Sequence, residues 1–109
     1  MTEAPGETAR CVYVLVRADL PLANQIVQAG HACWEAASRF AAPGENCALV
    51  ALSVPSEARL RAAVAALRQR GVQVYLFHED DFPRGDTAAC TEPLDATRRR
   101  LLRKFDLWR

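Results

Sequence analysis

The chain has 109 residues, half of them hydrophobic and a quarter charged, which suits one globular domain and excludes both a second domain and a disordered chain. Fourteen basic side chains against thirteen acidic ones leave a formal net charge of +1, so the molecule as a whole is no polycation shaped for nucleic acid. No apolar run approaches the roughly 18 residues that a membrane span needs.

Residues 1–10 (MTEAPGETAR) are polar, contain Pro5 and Gly6, and read as a disordered leader rather than a signal peptide, which predicts a cytoplasmic protein. The domain is expected over 11–109. Residues 11–18 (CVYVLVRA) are a continuous apolar run rich in β-branched and aromatic types, the pattern of a strand buried on both faces. Pro21 breaks it. From 23 to 41 the period is helical: Ile26, Gly30, Cys33, Ala37 and Phe40 recur at three- and four-residue steps, Val27 and Trp34 widen the stripe, and Gln28, Glu35 and Arg39 fall opposite. This predicts that the stripe faces the core, with Trp34 packed there. Pro43-Gly44 ends the helix.

Residues 47–54 (CALVALSV) are a second strand. Ser56 is placed to cap a helix whose stripe is Leu60, Ala63, Val64 and Leu67, with Gly71 closing it. Residues 72–78 (VQVYLFH) form a third strand, followed by an acidic turn from Glu79 to Asp86. Residues 87–91 (TAACT) make a short fourth strand. Asp95 is placed to cap a last helix over 96–104, with Leu101 and Phe105 inward, helped by Leu94. The tail from Phe105 to Trp108 reads as an anchor onto the sheet or onto a second subunit. The order β-α-β-α-β-β-α predicts a single α/β domain with a four-stranded mixed sheet, helices on both faces, and the fourth strand antiparallel at one side.

Cys11, Cys33, Cys47 and Cys90 show neither C-x-x-C spacing nor a zinc pattern with histidine, so buried free thiols and no metal site are expected. Local charge is less neutral than the total. Residues 95–109 carry Arg98, Arg99, Arg100, Arg103, Lys104 and Arg109 against Asp95 and Asp106, a basic helix that suits either a solvated face or phosphate contacts.

The first strand and its exit read V-L-V-R-A-D-L over 14–20, and the helix carries Q-x-x-H-A from Gln28 to Ala32. This resembles the peptidyl-tRNA hydrolase 2 family, in which a strand ending R-x-D-L leads into a helix with Q-x-A-H. The segment from Thr87 to Pro93 is similar in layout to the family's T-V-L-A-V-G-P strand, and the likeness spans about residues 11–95. It implies that fold and cleavage of the ester between a peptide and tRNA, without cofactor or metal. Glu79 falls where the family has its catalytic aspartate, with Asp80 and Asp81 adjacent; Thr87 takes the place of the catalytic threonine, and His31 lies near the site. Arg17, Asn24, Gln28, Arg98, Arg99, Arg103 and Lys104 are the expected RNA contacts. Relatives form homodimers, which implies the same here.

The chemistry suits those residue types. Ester hydrolysis needs a positioned, partly deprotonated water and donors for the oxyanion. A carboxylate at a strand end orients the water, a threonine hydroxyl holds it, and three consecutive carboxyls are expected to raise one another's pKa. Glu35, four residues after His31, is placed to orient or pair with it. One departure supports a second reading. Typical members carry lysines in a G-K-G-K-like loop before the helix, whereas this chain has Leu22-Ala23-Asn24-Gln25. That favours a non-catalytic tRNA- or protein-binding module on the same fold; a hydrolase of another small ester or amide is a third option.

Overall fold

A computed structural model describes residues 10–41, 47–81 and 84–109. All but Arg10 of the expected leader, the Pro43-Gly44 stop, and Phe82-Pro83 of the acidic turn lie outside the described residues. The elements are β1 (Cys11–Arg17), α1 (Leu22–Arg39), β2 (Ala48–Val54), α2 (Glu57–Gln69), β3 (Val74–Glu79), β4 (Gly85–Thr91), α3 (Ala96–Arg99) running into a 3₁₀ turn (Arg100–Leu102), and β5 (Asp106–Leu107). The last helix is thus shorter than the expected 96–104 and tightens after one turn.

One mixed sheet has the order β3-β4-β1-β2-β5. β1 and β2 pair in parallel along their whole length, from Cys11↔Ala48 to Arg17↔Val54. β4 is antiparallel to both β1 and β3, so β3 runs parallel to β1. β5 pairs antiparallel with β2 through Leu52↔Leu107 and Ser53↔Asp106. Two expectations are corrected here. The described sheet has five strands rather than four, because a two-residue strand leaves no periodicity to read. β4 is an inner strand rather than a side one. The α1 crossover lays β2 on one flank of β1, and the β3–β4 hairpin fills the other flank with β4 innermost.

Local chemistry explains the helix ends. Ser56 Oγ accepts from Arg59 N at 3.2 Å, and Asp95 Oδ1 accepts from Arg98 N at 3.0 Å. Gly71 has φ +83°, the left-handed conformation that ends α2.

Core packs on both faces. Under α2 and α3 lie Tyr13, Leu15, Leu52 and Val54 with Leu60, Val64, Leu67, Leu94 and Leu102. All four predicted stripe residues of α2 are buried. In the last helix Leu102 is the buried residue, while Leu101 and Phe105 pack at its border. Under α1 lie Val14, Val16, Ala88 and Cys90 with Ala32 and Ala36.

α1 reverses the expectation. Its buried residues are Gln28, Ala32 and Ala36, while Leu22, Ile26, Val27 and Trp34 are more than half exposed, Trp34 at 77%. The small residues Ala88 and Cys90 of β4 bring α1 close through its alanine face, and the bulky stripe is left outside. Cys11 and Cys90 are buried and Cys33 and Cys47 half-buried, all as free thiols. The Cys90 thiol hydrogen-bonds to Cys33; this holds Cys33 below the usual thiol range, while that bond and burial push Cys90 up. Among the described residues, no helix is long and apolar enough to cross a membrane.

Candidate functional site

β1, β2 and β3 end at a common edge, with Arg17, Val54 and Glu79 as their last residues. β4 begins there with Gly85, Asp86 and Thr87, and the first turns of α1 and α2 overhang the same edge. The ends of parallel strands are where open α/β sheets form clefts.

A β-bulge shapes this edge. His78 pairs with Asp86 and Phe77 with Ala88, so Thr87 is the extra residue. In a regular strand Asp86 and Ala88 would share a face. The inserted residue sends Asp86 toward α2 and leaves Thr87 and Ala88 both toward α1. Two polar clusters result, one on each face.

On the α1 face, Thr87 Oγ1 donates to Gln28 Oε1 at 2.7 Å, and Gln28 Nε2 donates to Glu79 Oε2 at 2.9 Å. Thr87 thereby fixes which end of the Gln28 amide faces the carboxylate. Glu79 Oε1 accepts from the backbone N–H of Asp81 at 3.1 Å. The Gln28 hydrogen bond, then the backbone N–H of Asp81, hold the Glu79 carboxyl below the usual carboxylate range, aided by the nearby His31 ring. This reverses the expected mutual elevation by neighbouring acids, because donors rather than carboxylates face Glu79. His31 is exposed and stacks on Phe77 of β3, with centroids 4.9 Å apart and an interplanar angle of 16°. Glu35 pairs with Arg39 at 2.5 Å, one turn further along the helix.

On the α2 face, Asp86 is the hub. Its carboxylate accepts from Arg61 Nε at 2.6 Å and meets His78 Nδ1 at 2.9 Å. Its backbone N–H donates to Glu57 Oε2 at 2.7 Å, which also accepts from Arg61 Nη2 at 2.9 Å. Burial alone would raise the Asp86 carboxyl; hydrogen bonds from Arg61 and His78 outweigh it and hold it low. The same bond to Asp86, with the Asp80 charge adding, raises His78 against a smaller opposing effect of burial. Arg17 donates to the carbonyls of Arg84 at 2.5 Å and Asp86 at 3.2 Å and forms a two-bond fork with Asp19, at 3.0 and 2.8 Å. It therefore ties the end of β1 to the start of β4.

Of the residues singled out from the sequence, Arg17, Gln28, His31, Glu79 and Thr87 gather at this edge. Asp80 and Asp81 adjoin it, Asp80 reaching His78 Nε2 at 3.3 Å, and both are exposed. Asn24 sits half-buried in the first turn of α1. Gln28 is buried at 3% exposure and Thr87 at 0%, so Gln28 works as an internal bridge rather than a surface contact. Arg98 and Arg99 are elsewhere. Arg98 bonds Glu92 at 3.1 Å, past the far end of β4, and Arg99 reaches Tyr13 Oη at 3.4 Å. The length of β4 separates Arg98 from the edge by roughly 20 Å. Arg103 is exposed, and Lys104 stands 5.5 Å from the Phe105 ring centroid beside α2. Sequence reasoning missed the Glu57–Arg61–Asp86–His78 cluster. Its one readable signal is the i, i+4 pair Glu57–Arg61, which is common on any helix. Among the described residues, no group of three or more His, Cys, Asp or Glu side chains is arranged to hold a metal ion.

Fold and edge together define a small α/β protein with a mixed sheet and a polar edge where its parallel strands end. No protein-family model and no curated protein matches the chain. Among solved structures it is similar to Atu0240, a protein of unknown function from Agrobacterium tumefaciens strain C58, with a TM-score of 0.67 and 12% identity. The likeness covers 92% of this chain and 98% of that one, so the two share a fold across nearly their whole lengths.

Proposed function

We propose that the α1 face of this edge is a hydrolytic site for an acyl ester carried by tRNA, on a fold of the peptidyl-tRNA hydrolase 2 kind, acting in the cytoplasm. The observation that carries the reading is the bridge from Thr87 through Gln28 to Glu79. It joins the first helix to the acid-rich turn, the two regions that the resemblance makes functional. Glu79, held ionised, orients the attacking water through its unused lone pairs. Water attacks the ester carbonyl as Glu79 takes its proton, and the tetrahedral oxyanion is met by the exposed His31 ring. Collapse expels the ribose oxygen, which takes the proton that the water lost. Thr87 touches no substrate in this scheme; it is a positioning residue that fixes the Gln28 amide. Arg84 Nε is buried with no hydrogen-bond partner among the described residues, and a phosphate at the rim would satisfy it.

The test is release of the acyl group from an N-acetylated aminoacyl-tRNA. Glu79→Gln is expected to lower the rate at least 100-fold. Thr87→Val is expected to lower it about tenfold, the size of one lost hydrogen bond. The exposed pair Asp80→Ala/Asp81→Ala should leave it within about twofold. A second reading is favoured by the lysine-free turn Leu22–Gln25 and by the depth at which Gln28 and Thr87 are sealed. In it the chain binds tRNA or a protein without turnover. Salt-sensitive tRNA binding with no release would select the second reading. Neither binding nor release would remove tRNA from both.

A further inference from the structure

Where β1 and β2 begin and β4 ends, an apolar cavity of about 280 Å³ lies between α1 and the sheet. Three of the cysteines line it: Cys33 of α1, Cys90 of β4 and Cys47 just ahead of β2. Val12, Ala36, Phe40, Leu49 and Pro93 make up most of the remaining wall. Thr91 also lines it, but its hydroxyl already accepts from Tyr13 N at 3.0 Å. Among the described residues no charged side chain lines this cavity.

The thiols differ in their surroundings. Cys90 is sealed at 1% exposure and hydrogen-bonds to Cys33, which is half-buried and packs against it. The alanine face of α1 lets helix and strand come close, the approach that a disulfide between them needs. Cys47 Sγ instead donates to Arg10 O at 3.2 Å, and burial pushes its thiol up. The bond from Cys90 holds Cys33 low, which makes Cys33 the better nucleophile.

We infer that Cys33 and Cys90 are a redox-active thiol pair whose oxidant is an apolar alkyl hydroperoxide seated in this cavity. The Cys33 thiolate attacks the terminal oxygen of the hydroperoxide. The O–O bond breaks, and the alkoxide leaves with the electron pair and takes up the proton that Cys33 lost, giving the alcohol. Cys33 is now a sulfenic acid. Cys90 attacks the Cys33 sulfur, the S–O bond breaks, and the departing hydroxide takes the Cys90 proton as water. In sum, two thiols and one hydroperoxide give a disulfide, an alcohol and water. The uncharged wall selects the class of oxidant. Hydrogen peroxide is better solvated outside, and a charged disulfide such as oxidised glutathione would be desolvated without a partner. The volume is near the lower end of small-molecule sites, about 300 Å³, and suits a compact organic body. Glu79 lies at the other end of the sheet, so this chemistry does not depend on the proposed hydrolysis.

The experiment treats the reduced full chain with cumene hydroperoxide, blocks the remaining thiols and digests with trypsin. Each cysteine then falls in its own peptide, over 11–17, 18–39, 40–59 and 85–98. The expected product is 18–39 joined to 85–98, with one cumyl alcohol formed per disulfide. The reaction should run about tenfold faster than with hydrogen peroxide at equal concentration. Leu49→Glu, at a half-exposed wall position, should erase that preference. Cys90→Ser should stop at a sulfenic acid on Cys33 that dimedone traps, and Cys47→Ser should change nothing. The wild-type peptide map does not depend on whether a variant folds. No link between 18–39 and 85–98, or a link through 40–59 in its place, overturns the inference. Equal rates with the two peroxides overturn the cavity as the binding site.

Discussion

His78 and Asp86 are coupled at the edge, and the pair predicts how stability follows pH. His78 is raised above the ordinary imidazole value of about 6.5 by its bond to Asp86. Its contribution is therefore complete below that ordinary value and is lost as pH rises through the raised one. Asp86 is lowered, so its contribution is complete above the ordinary carboxylate value of about 3.9 and is lost as pH falls through the lowered one. The pair is fully stabilising between those two ordinary values. The melting temperature is expected to fall as pH rises past neutrality, and His78→Gln should flatten that fall while leaving the acid limb in place. An unchanged slope in the variant would show that His78 is not coupled to folding. Neither residue was legible as a site from the sequence. They are eight apart across a hairpin, and the bulge at Thr87 decides that they pair at all. Glu79 and Thr87 were legible because the resemblance marks them, whereas Gln28's bridging role depends on a contact across 51 residues of chain.

At the scale of elements, α1 and α2 show what periodicity can and cannot reveal. In α2 the bulkier stripe of Leu60, Ala63, Val64 and Leu67 is the buried one and the alanine stripe of Ala58, Ala62 and Ala65 is exposed, so the pattern and the buried face coincide. α1 has a bulky stripe and an alanine-lined one, and hydrophobicity alone picks the bulky one. The small side chains of β4 select the other, a choice of fit rather than of hydrophobicity. The hairpin joining β3 to β4 supplies a sharper test. Gly85 has φ +76°, and a methyl there would overlap the Glu57 carboxylate, which Arg61 and the Asp86 N–H hold in place. Gly71 has φ +83° but open space around it. Gly71→Ala is expected to cost about 1 kcal/mol from backbone strain alone. Gly85→Ala should cost about 2–3 kcal/mol, since it adds a displaced carboxylate to that strain. Denaturant titrations of the two variants make the comparison, and equal losses would mean that Glu57 gives way freely.

Across the whole molecule, the charge pattern of the sequence divides in space. The basic run 98–104 was readable, but its place was not: Arg98 and Arg99 sit at the end of the sheet opposite Glu79, so they share no cleft with it. The C-terminal tail, by contrast, reaches the site. Trp108 N donates to Ala51 O at 2.9 Å and closes the edge of β2. Its indole Nε1 donates to Gln25 Oε1 at 2.7 Å, and Gln25 Nε2 in turn donates to Leu20 O at 2.7 Å. The last residues of the chain thus hold the loop that carries Asp19, the partner of Arg17, against the start of α1. The ring also packs on the α1-side core. Trp108→Ala removes a half-buried ring and takes the donor from Gln25 Oε1, an expected loss of about 2 kcal/mol. For a chain of this size that lowers the melting temperature by roughly 8–16 °C. Hydrogen exchange locates the effect. Protection should fall at the amides of β2 that face β5 and around residues 18–21, while the β1–β4 amides keep theirs, because the central ladder does not involve the tail. A uniform loss of protection across the sheet would mean that the tail supports the entire core; no loss at 18–21 would mean that the link through Gln25 transmits nothing to the loop after β1.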